Sequence, residues 1–341
     1  MNNDRIQEIL DLMEEARLDY FLISDPQSIA YCTGYYNDPH ERMFVFMISK
    51  HGNHTLFMND LFYLDHDLDV NIVWHKDGQD AIQTIVDEMH FPGRIGIDKN
   101  WASHFLLDLM KKLPDAKYIN ASPCVDLVRM KKDLQEQVLM IESSKINDAV
   151  MEEIIPFIQE GVSEKQLAKK LDELFFNHHS TCYGAIVAFG KNAADPHHEN
   201  DDTLLRKGDC VLIDMGCVYK GYCSDMTRTF FYEGILEEEI KVYEIVKKSN
   251  EAAEAMIKPG VKLSDIDKCA RKVISDEGYG KYFTHRLGHF IGRDVHEYGD
   301  VSSVNEMEVE EGMIFSIEPG IYLEGNFGVR VEDLVMVTKD G

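Results

Sequence analysis

Residues 211–230 read VLIDMGCVYKGYCSDMTRTF. Two β-type runs flank Tyr219-Lys220-Gly221, a turn-forming triplet, so the stretch is expected to be an antiparallel hairpin. Asp214 and Asp225 lie symmetrically about a point between Tyr219 and Lys220. In a hairpin turning there they would be cross-strand neighbours on one face, with Cβ atoms ~5 Å apart. At an effective dielectric near 20, two like charges 4 Å apart repel by about 4 kcal/mol. A cation bound between them removes that cost.

The same device recurs in SIEPGIYLEGNFGVRVEDLVMV, residues 316–337. Glu318 and Glu332 are symmetric about Gly325, and Glu324-Gly325-Asn326-Phe327-Gly328 is a reasonable hairpin connection. For a single opposed pair, two solvated carboxylates on an exposed sheet face would be the ordinary explanation. Here Asp214 sits in VLIDMG and Glu318 in IFSIEPG, both strongly apolar settings. An ionised carboxylate is rarely buried without a partner. A third stretch, THRLGHFIGRDVHE at 284–297, adds His285, His289 and His296. One neutral imidazole beside four carboxylates makes an oxygen-rich, nitrogen-poor site for divalent metal. Four negative ligands nearly balance two dications, and a water bridging two such ions is a nucleophile at neutral pH.

Around these stretches the chain divides in two. Ile6, Ile9, Leu10 and Met13 recur at helical spacing. Strand-like runs follow at 19–24, 43–49, 54–59, 94–98 and 117–120, with helices expected near 79–90 and 101–112. This alternation reads as a small α/β domain ending near Ser122-Pro123. Asp133 with Glu136 is a capping box opening a long helix to about 158, expected to link the halves. Helices near 163–178, 237–257 and 264–277, with β-rich stretches at 183–190, 209–232 and 309–338, give an α+β second half.

Composition narrows the function. The chain carries 35 Lys plus Arg against 61 Asp plus Glu, a formal charge of −26, which argues against nucleic acid and anionic membrane as partners. Seven cysteines are scattered with no C-x-x-C pair, which argues against a disulfide framework or structural zinc and for a reducing compartment. The opening MNNDRIQEIL is charged and amphipathic, and no apolar run approaches the roughly 20 residues needed to cross a bilayer. A cytoplasmic location is the expectation.

Asp214, Asp225, His289, Glu318 and Glu332, in that order and spacing, resemble the ligand set of the pita-bread metallopeptidases, which include methionine aminopeptidases, aminopeptidases P and prolidases. The motifs DMG…SDMTRTF, HRLGHFIGRDVHE, FSIEPGIY and GVRVED are similar to those of prolidases, the Xaa-Pro dipeptidases. The resemblance covers nearly the whole chain. It implies a pita-bread catalytic domain over 125–341, opening with a linker helix, after a smaller creatinase/prolidase-type α/β domain over 1–124. It further implies two divalent ions per chain, manganese foremost with cobalt or zinc as alternatives, a small peptide substrate and a homodimer.

Residue by residue, the resemblance makes His197, in NAADPHHEN, and His296 catalytic, substrate-binding histidines, and His285 a histidine behind the metals. Glu318 would both ligate and shuttle a proton, and Arg330 would contact substrate or orient a ligand. DPHER, residues 38–42, resembles a loop of bacterial Xaa-Pro dipeptidases, which makes His40 a substrate contact to a partner chain's centre. The implied activity is hydrolysis of Xaa-Pro dipeptides. The alternatives are removal of an N-terminal residue before proline, as in aminopeptidase P, and a non-catalytic pita-bread protein that binds peptide. Three positions depart from the family pattern. Pro196-His197-His198 stands where bacterial members usually have Pro-His-Gly, Phe290 follows the metal histidine where glycine is usual, and Arg293 is distinctive.

Overall fold

The computed structural model describes residues 1–90 and 92–341. It divides into two compact units, Met1–Arg129 and Met130–Gly341. The division falls after Arg129 rather than after residue 124, because a helix runs through the expected boundary.

The first unit runs α1 (Asn3–Glu15), β1 (Tyr20–Ile23), α2 (Pro26–Thr33), β2 (Val45–Ser49), β3 (Thr55–Asn59), β4 (Asn71–His75), α3 (Ala81–Glu88), β5 (Arg94–Ile97), α4 (Ser103–Lys112), β6 (Lys117–Asn120) and α5 (Pro123–Met130). Its strands form one mixed sheet in the order β4-β3-β2-β1-β5-β6. Strand β1 is buried along its whole length, so YFLI carries apolar residues to both faces of the sheet. Ile6, Ile9 and Met13 of α1 seal one face together with Phe21, Ile23, Phe46 and Ile48. Helices α2 and α5 and strand β4 were not anticipated, although the start of α2 is marked. The Asp25 side chain accepts the Ser28 N–H, Pro26 fills the first turn, and Gly34 closes the helix at φ 81°.

The second unit opens with α6 (Leu134–Ile154), whose capping box is present: the Asp133 carboxylate accepts from Gln135 N–H and Glu136 N–H, and Glu136 accepts the Asp133 N–H. Then come α7 (Glu164–Asn177), β7 (Thr181–Cys182), β8 (Ile186–Phe189), β9 (Cys210–Met215), β10 (Cys217–Tyr219), β11 (Tyr222–Cys223) and β12 (Met226–Phe231). Helices α8 (Glu237–Glu254) and α9 (Leu263–Asp276) follow, then β13 (Gly288–His289), β14 (Asp300–Val301), β15 (Ile314–Ile317), β16 (Gly320–Leu323), β17 (Phe327–Arg330) and β18 (Asp333–Met336). Val150 and Ile154 of α6 and Leu167, Leu171 and Phe175 of α7 pack on Val187, Val211 and Ile213, which fixes the β8-β9-β12 sheet beneath the site.

The first acidic hairpin forms with a corrected register. Its turn is the two-residue Lys220-Gly221, with φ of 48° and 82°, rather than one centred between Tyr219 and Lys220. Two consecutive positive φ values belong to the turn whose twist matches paired strands. Tyr219 therefore pairs with Tyr222, Val218 with Cys223, and Asp214 with Thr227. Asp225 lies two residues along from Thr227, so Asp214 and Asp225 are diagonal neighbours on one face and not directly opposed. The second hairpin keeps the expected register about Gly325, whose φ is 74°. Gly320 pairs with Arg330 and Ile317 with Asp333. Glu318 and Glu332 occupy the gap between these two ladders, where Glu332 turns aside to bridge Thr227 of the first hairpin. No helix among the described residues is long and apolar enough to cross a membrane.

Candidate metal centre

The two hairpins and β13 bring the five expected ligands together. Asp225, His289 and Glu332 are buried, and a ligand atom of each lies within 4.8 Å of the others. His289 Nε2 is 3.6 Å from Asp225 Oδ2 and 3.5 Å from Glu318 Oε1. Asp214 joins them through Arg330, whose Nη2 is 2.6 Å from Asp214 Oδ2.

The electrostatics of this group are those of a cation site. Burial, and then the charges of Asp214 and Glu318, push the Asp225 carboxyl well above its ordinary range. Burial and the Asp225 charge do the same to Glu332, and burial raises Glu318 to about 7. Burial depresses His289 to about 3, so its ring is neutral at pH 7. His289 Nδ1 lies 3.2 Å from the Phe290 carbonyl. A carbonyl can only accept, so Nδ1 carries the proton and Nε2 is left with a lone pair. That lone pair faces two carboxylate oxygens beyond hydrogen-bond reach. Acceptors converging in a buried pocket, with one guanidinium against four carboxylates, fit a divalent ion.

Neighbouring side chains fix the orientation of these ligands. Thr227 Oγ1 donates to Glu332 Oε2 at 2.7 Å and accepts from Arg330 Nε at 3.1 Å. Arg330 Nη1 donates to the Tyr322 hydroxyl at 2.9 Å. His285 is held neutral by burial, at about 4, and its Nδ1 donates to the Arg286 carbonyl. Its Nε2 therefore accepts from the Tyr322 hydroxyl at 2.8 Å. Ser316 Oγ accepts the His289 N–H at 3.0 Å and donates to Glu318 Oε1 at 3.2 Å. Tyr183 donates to the Ser224 carbonyl at 2.8 Å. Burial, and then the charges of Asp225, Asp214 and Glu332, hold this phenol well above its usual value. A Cβ on Gly216 would overlap both the Tyr183 hydroxyl and the Ser224 carbonyl, so only glycine admits this contact.

The remaining expected residues divide by place. His296 is exposed, and its ring meets His289 edge-on with centroids 4.2 Å apart. The buried ion pair of Lys132 with Glu297, at 2.9 Å, anchors the chain beside it. His197 is also exposed, and its charge opposes protonation of both His285 and His296. Arg330 is only 3% exposed, and Asp214, Tyr322 and Thr227 engage its guanidinium. All three of its guanidinium nitrogens are thus engaged by side chains of this group. His40 belongs to the first unit, exposed, at φ 51°, with its N–H donated to Asp38 Oδ1 at 2.9 Å. Phe290 is wholly buried against Phe315.

Sequence reasoning missed Tyr183, Thr227, Ser316 and Tyr322. For two of them a signal existed. Thr227 lies two residues from Asp225 and Ser316 two from Glu318, so each shares a strand face with a ligand.

Known proteins share the order of these two units. Residues 138–339 match metallopeptidase family M24, and residues 5–131 match the creatinase/prolidase N-terminal domain. An uncharacterized peptidase of Staphylococcus aureus is 34% identical over 99% of this chain and 97% of its own. The crystal structure of the prolidase from Pyrococcus horikoshii superposes with a TM-score of 0.91 at 29% identity, covering 99% of this chain and 96% of that one. The Xaa-Pro dipeptidase from Bacillus anthracis superposes with a TM-score of 0.91 at 29% identity, covering 98% and 95%. The chain belongs to metallopeptidase family M24: it is a peptidase with a pita-bread domain behind a creatinase-type N-terminal domain.

Proposed function

We propose that this metallopeptidase hydrolyses Xaa-Pro dipeptides at a centre of two divalent ions held by Asp214, Asp225, His289, Glu318 and Glu332. The observation that carries the reading is the buried acidic group converging on the His289 Nε2 lone pair, with the exposed imidazole of His296 beside it. When bound, such ions polarise the scissile carbonyl and make water nucleophilic at neutral pH. Oxygen-rich ligation with one histidine suits manganese or cobalt.

The chain's own residues supply the rest. His197 donates a hydrogen bond to the bound substrate, and His296 donates to the oxygen on which charge develops. The Glu318 carboxylate takes the proton of the attacking water and returns it to the proline nitrogen. Arg330, Thr227 and Ser316 hold the ligands in place, as outer partners do in metal sites generally.

The substrate class follows from what the site offers. An Xaa-Pro bond is a tertiary amide without an N–H, so an enzyme need not hydrogen-bond that group. Here the carbonyl is addressed by the centre and the peptide ends by histidines. With manganese present, Leu-Pro and Met-Pro should be cleaved in the trans form. Leu-Leu and Xaa-Pro-Xaa tripeptides should be slower by about two orders of magnitude, measured as kcat/KM. Equal or faster cleavage of the tripeptides would assign the protein to the aminopeptidase P type instead. Failure on every proline peptide with metal bound would end the reading.

The same proposal includes a homodimer in which His40 reaches the partner chain's centre. Sedimentation velocity should show a dimer, and His40→Ala should raise KM for Leu-Pro without altering metal content. A monomer that is active and indifferent to His40→Ala removes this part.

A further inference from the structure

Residues 195–200, DPHHEN, carry His197 on a stretch that belongs to no strand. The bend is made locally: the His197 N–H donates to Asp195 Oδ1 at 3.0 Å and the His198 N–H to the Asp195 carbonyl at 3.2 Å. Those bonds shape the bend without attaching it to anything. The far end is clipped to β8, where Asn200 accepts the Val187 N–H and donates to the Ala185 carbonyl, both at 2.7 Å. Among the described residues, His198 is the one side chain between Asp195 and Glu199 that hydrogen-bonds outside this stretch. Its Nε2 meets Glu164 Oε2 at 2.7 Å.

Glu164 is an unusual anchor. It is fully buried in the first turn of α7, where the helix dipole favours a carboxylate. Oε1 accepts from the Phe189 N–H at 2.8 Å and from Asn192 Nδ2 at 2.9 Å. Oε2 accepts from His198 and from the Asp201 N–H at 3.0 Å. A carboxylate offers about four lone-pair sites, and all are taken. Although ligand atoms of Glu164, His198 and Asp201 lie within 4.8 Å of one another, the group is therefore a hydrogen-bond knot and not a second cation site.

The knot matters because of what lies beside it. His197, His198 and Asn200 line a cleft of about 660 Å³ whose opposite wall is α7, at Lys165 and Lys169. A bend released from Glu164 has room to swing into that cleft and carry His197 away from His285 and His296.

We propose that His198, through Glu164, is a positioning residue that sets His197 for substrate binding by tethering the bend with a side chain. The proposal rests on the role given to His197 above. Its test is a double-mutant cycle on Leu-Pro hydrolysis with manganese. His198→Leu and His198→Gly should each raise KM about tenfold, the loss expected for one hydrogen bond to a charged group, with kcat and metal content near wild type. His198→Gln keeps an N–H donor within reach of Glu164 and should restore most of the affinity. In a His197→Ala background, adding His198→Leu should cost nothing further, because the two act as one unit. An unchanged KM in His198→Leu, or the same tenfold loss on top of His197→Ala, overturns the proposal. A readout independent of substrate separates it from the dipeptidase reading. The His197 ring signal in NMR, assigned with His197→Ala, should move in His198→Leu and return in His198→Gln. A signal that stays in place overturns the proposal whichever peptide the wild type cleaves.

Discussion

Asp225→Asn is expected to lose metal and turnover together. Asp225 is buried with its Oδ2 3.6 Å from His289 Nε2, and Asp214, Glu318 and Glu332 press on it electrostatically. An amide is the same size but brings no charge, and it would direct an N–H toward groups already waiting for a cation. The loss in kcat/KM should exceed the roughly 10–100-fold seen when only an outer partner of a metal ligand is removed. Thr227→Val provides that comparison, since Thr227 touches Glu332 and Arg330 without ligating. His296→Ala should separate the other way, keeping its metal and losing rate, because its ring lies beside His289 and outside the carboxylate group. Metal analysis alongside Leu-Pro kinetics reads all three. Full metal and full rate in Asp225→Asn would show that the centre lies elsewhere.

Metal removal should destabilise the protein, and more so as pH rises. In the metal-free fold the carboxyls of Asp225 and Glu332 titrate well above their ordinary 3.8 and 4.5, and Glu318 is raised to about 7. A carboxyl raised by folding stabilises only while it keeps its proton. That stability is complete below about 4.5 and is lost as pH climbs through 7 for Glu318, and further for the other two. Each pKa unit is about 1.4 kcal/mol, so Glu318 alone accounts for something on the order of 3 kcal/mol. On the acid side the sign reverses for His285 and His289, which burial holds neutral at about 4 and about 3. They withdraw stability as pH falls below about 6.5. Bound ions neutralise the carboxylates and cancel the alkaline loss. The gap in Tm between manganese-loaded and chelator-treated protein should therefore widen from pH 6.5 to pH 8.5. A gap that narrows over that range would mean the acids are not what the ion neutralises.

Much of this centre was legible because ligation imposes patterns that survive in one dimension. Acidic residues in apolar runs, placed about turn-forming residues, announced both hairpins, and the ligand order resembled a known set. The turn itself was less legible. Tyr219-Lys220-Gly221 allows more than one tip, and only backbone dihedrals show that Lys220 takes the first positive φ. The helix at Pro26–Thr33 was passed over because it is short and buried almost throughout, so it has no polar face to reveal a period. Arg330 illustrates a different limit. Its place beside Glu332 was visible, but whether its guanidinium meets substrate or Asp214 depends on Thr227 and Tyr322, which approach from other strands. The tether at His198 depends on Glu164, far away in sequence, and nothing local to DPHHEN points to it.

The first hairpin's register has a consequence for how such chains can diverge. Its tip, Lys220-Gly221, is the kind of surface turn where insertions are ordinarily absorbed. A slip of the pairing by one residue would turn Asp225 to the opposite face of the sheet. A slip by two would restore the face and leave Asp214 and Asp225 able to converge. The expectation of a turn one position earlier kept the two acids on one face for the same reason. Convergence of Asp214 and Asp225 at the hairpin's base thus requires a pairing of one parity, which even slips keep and odd slips break.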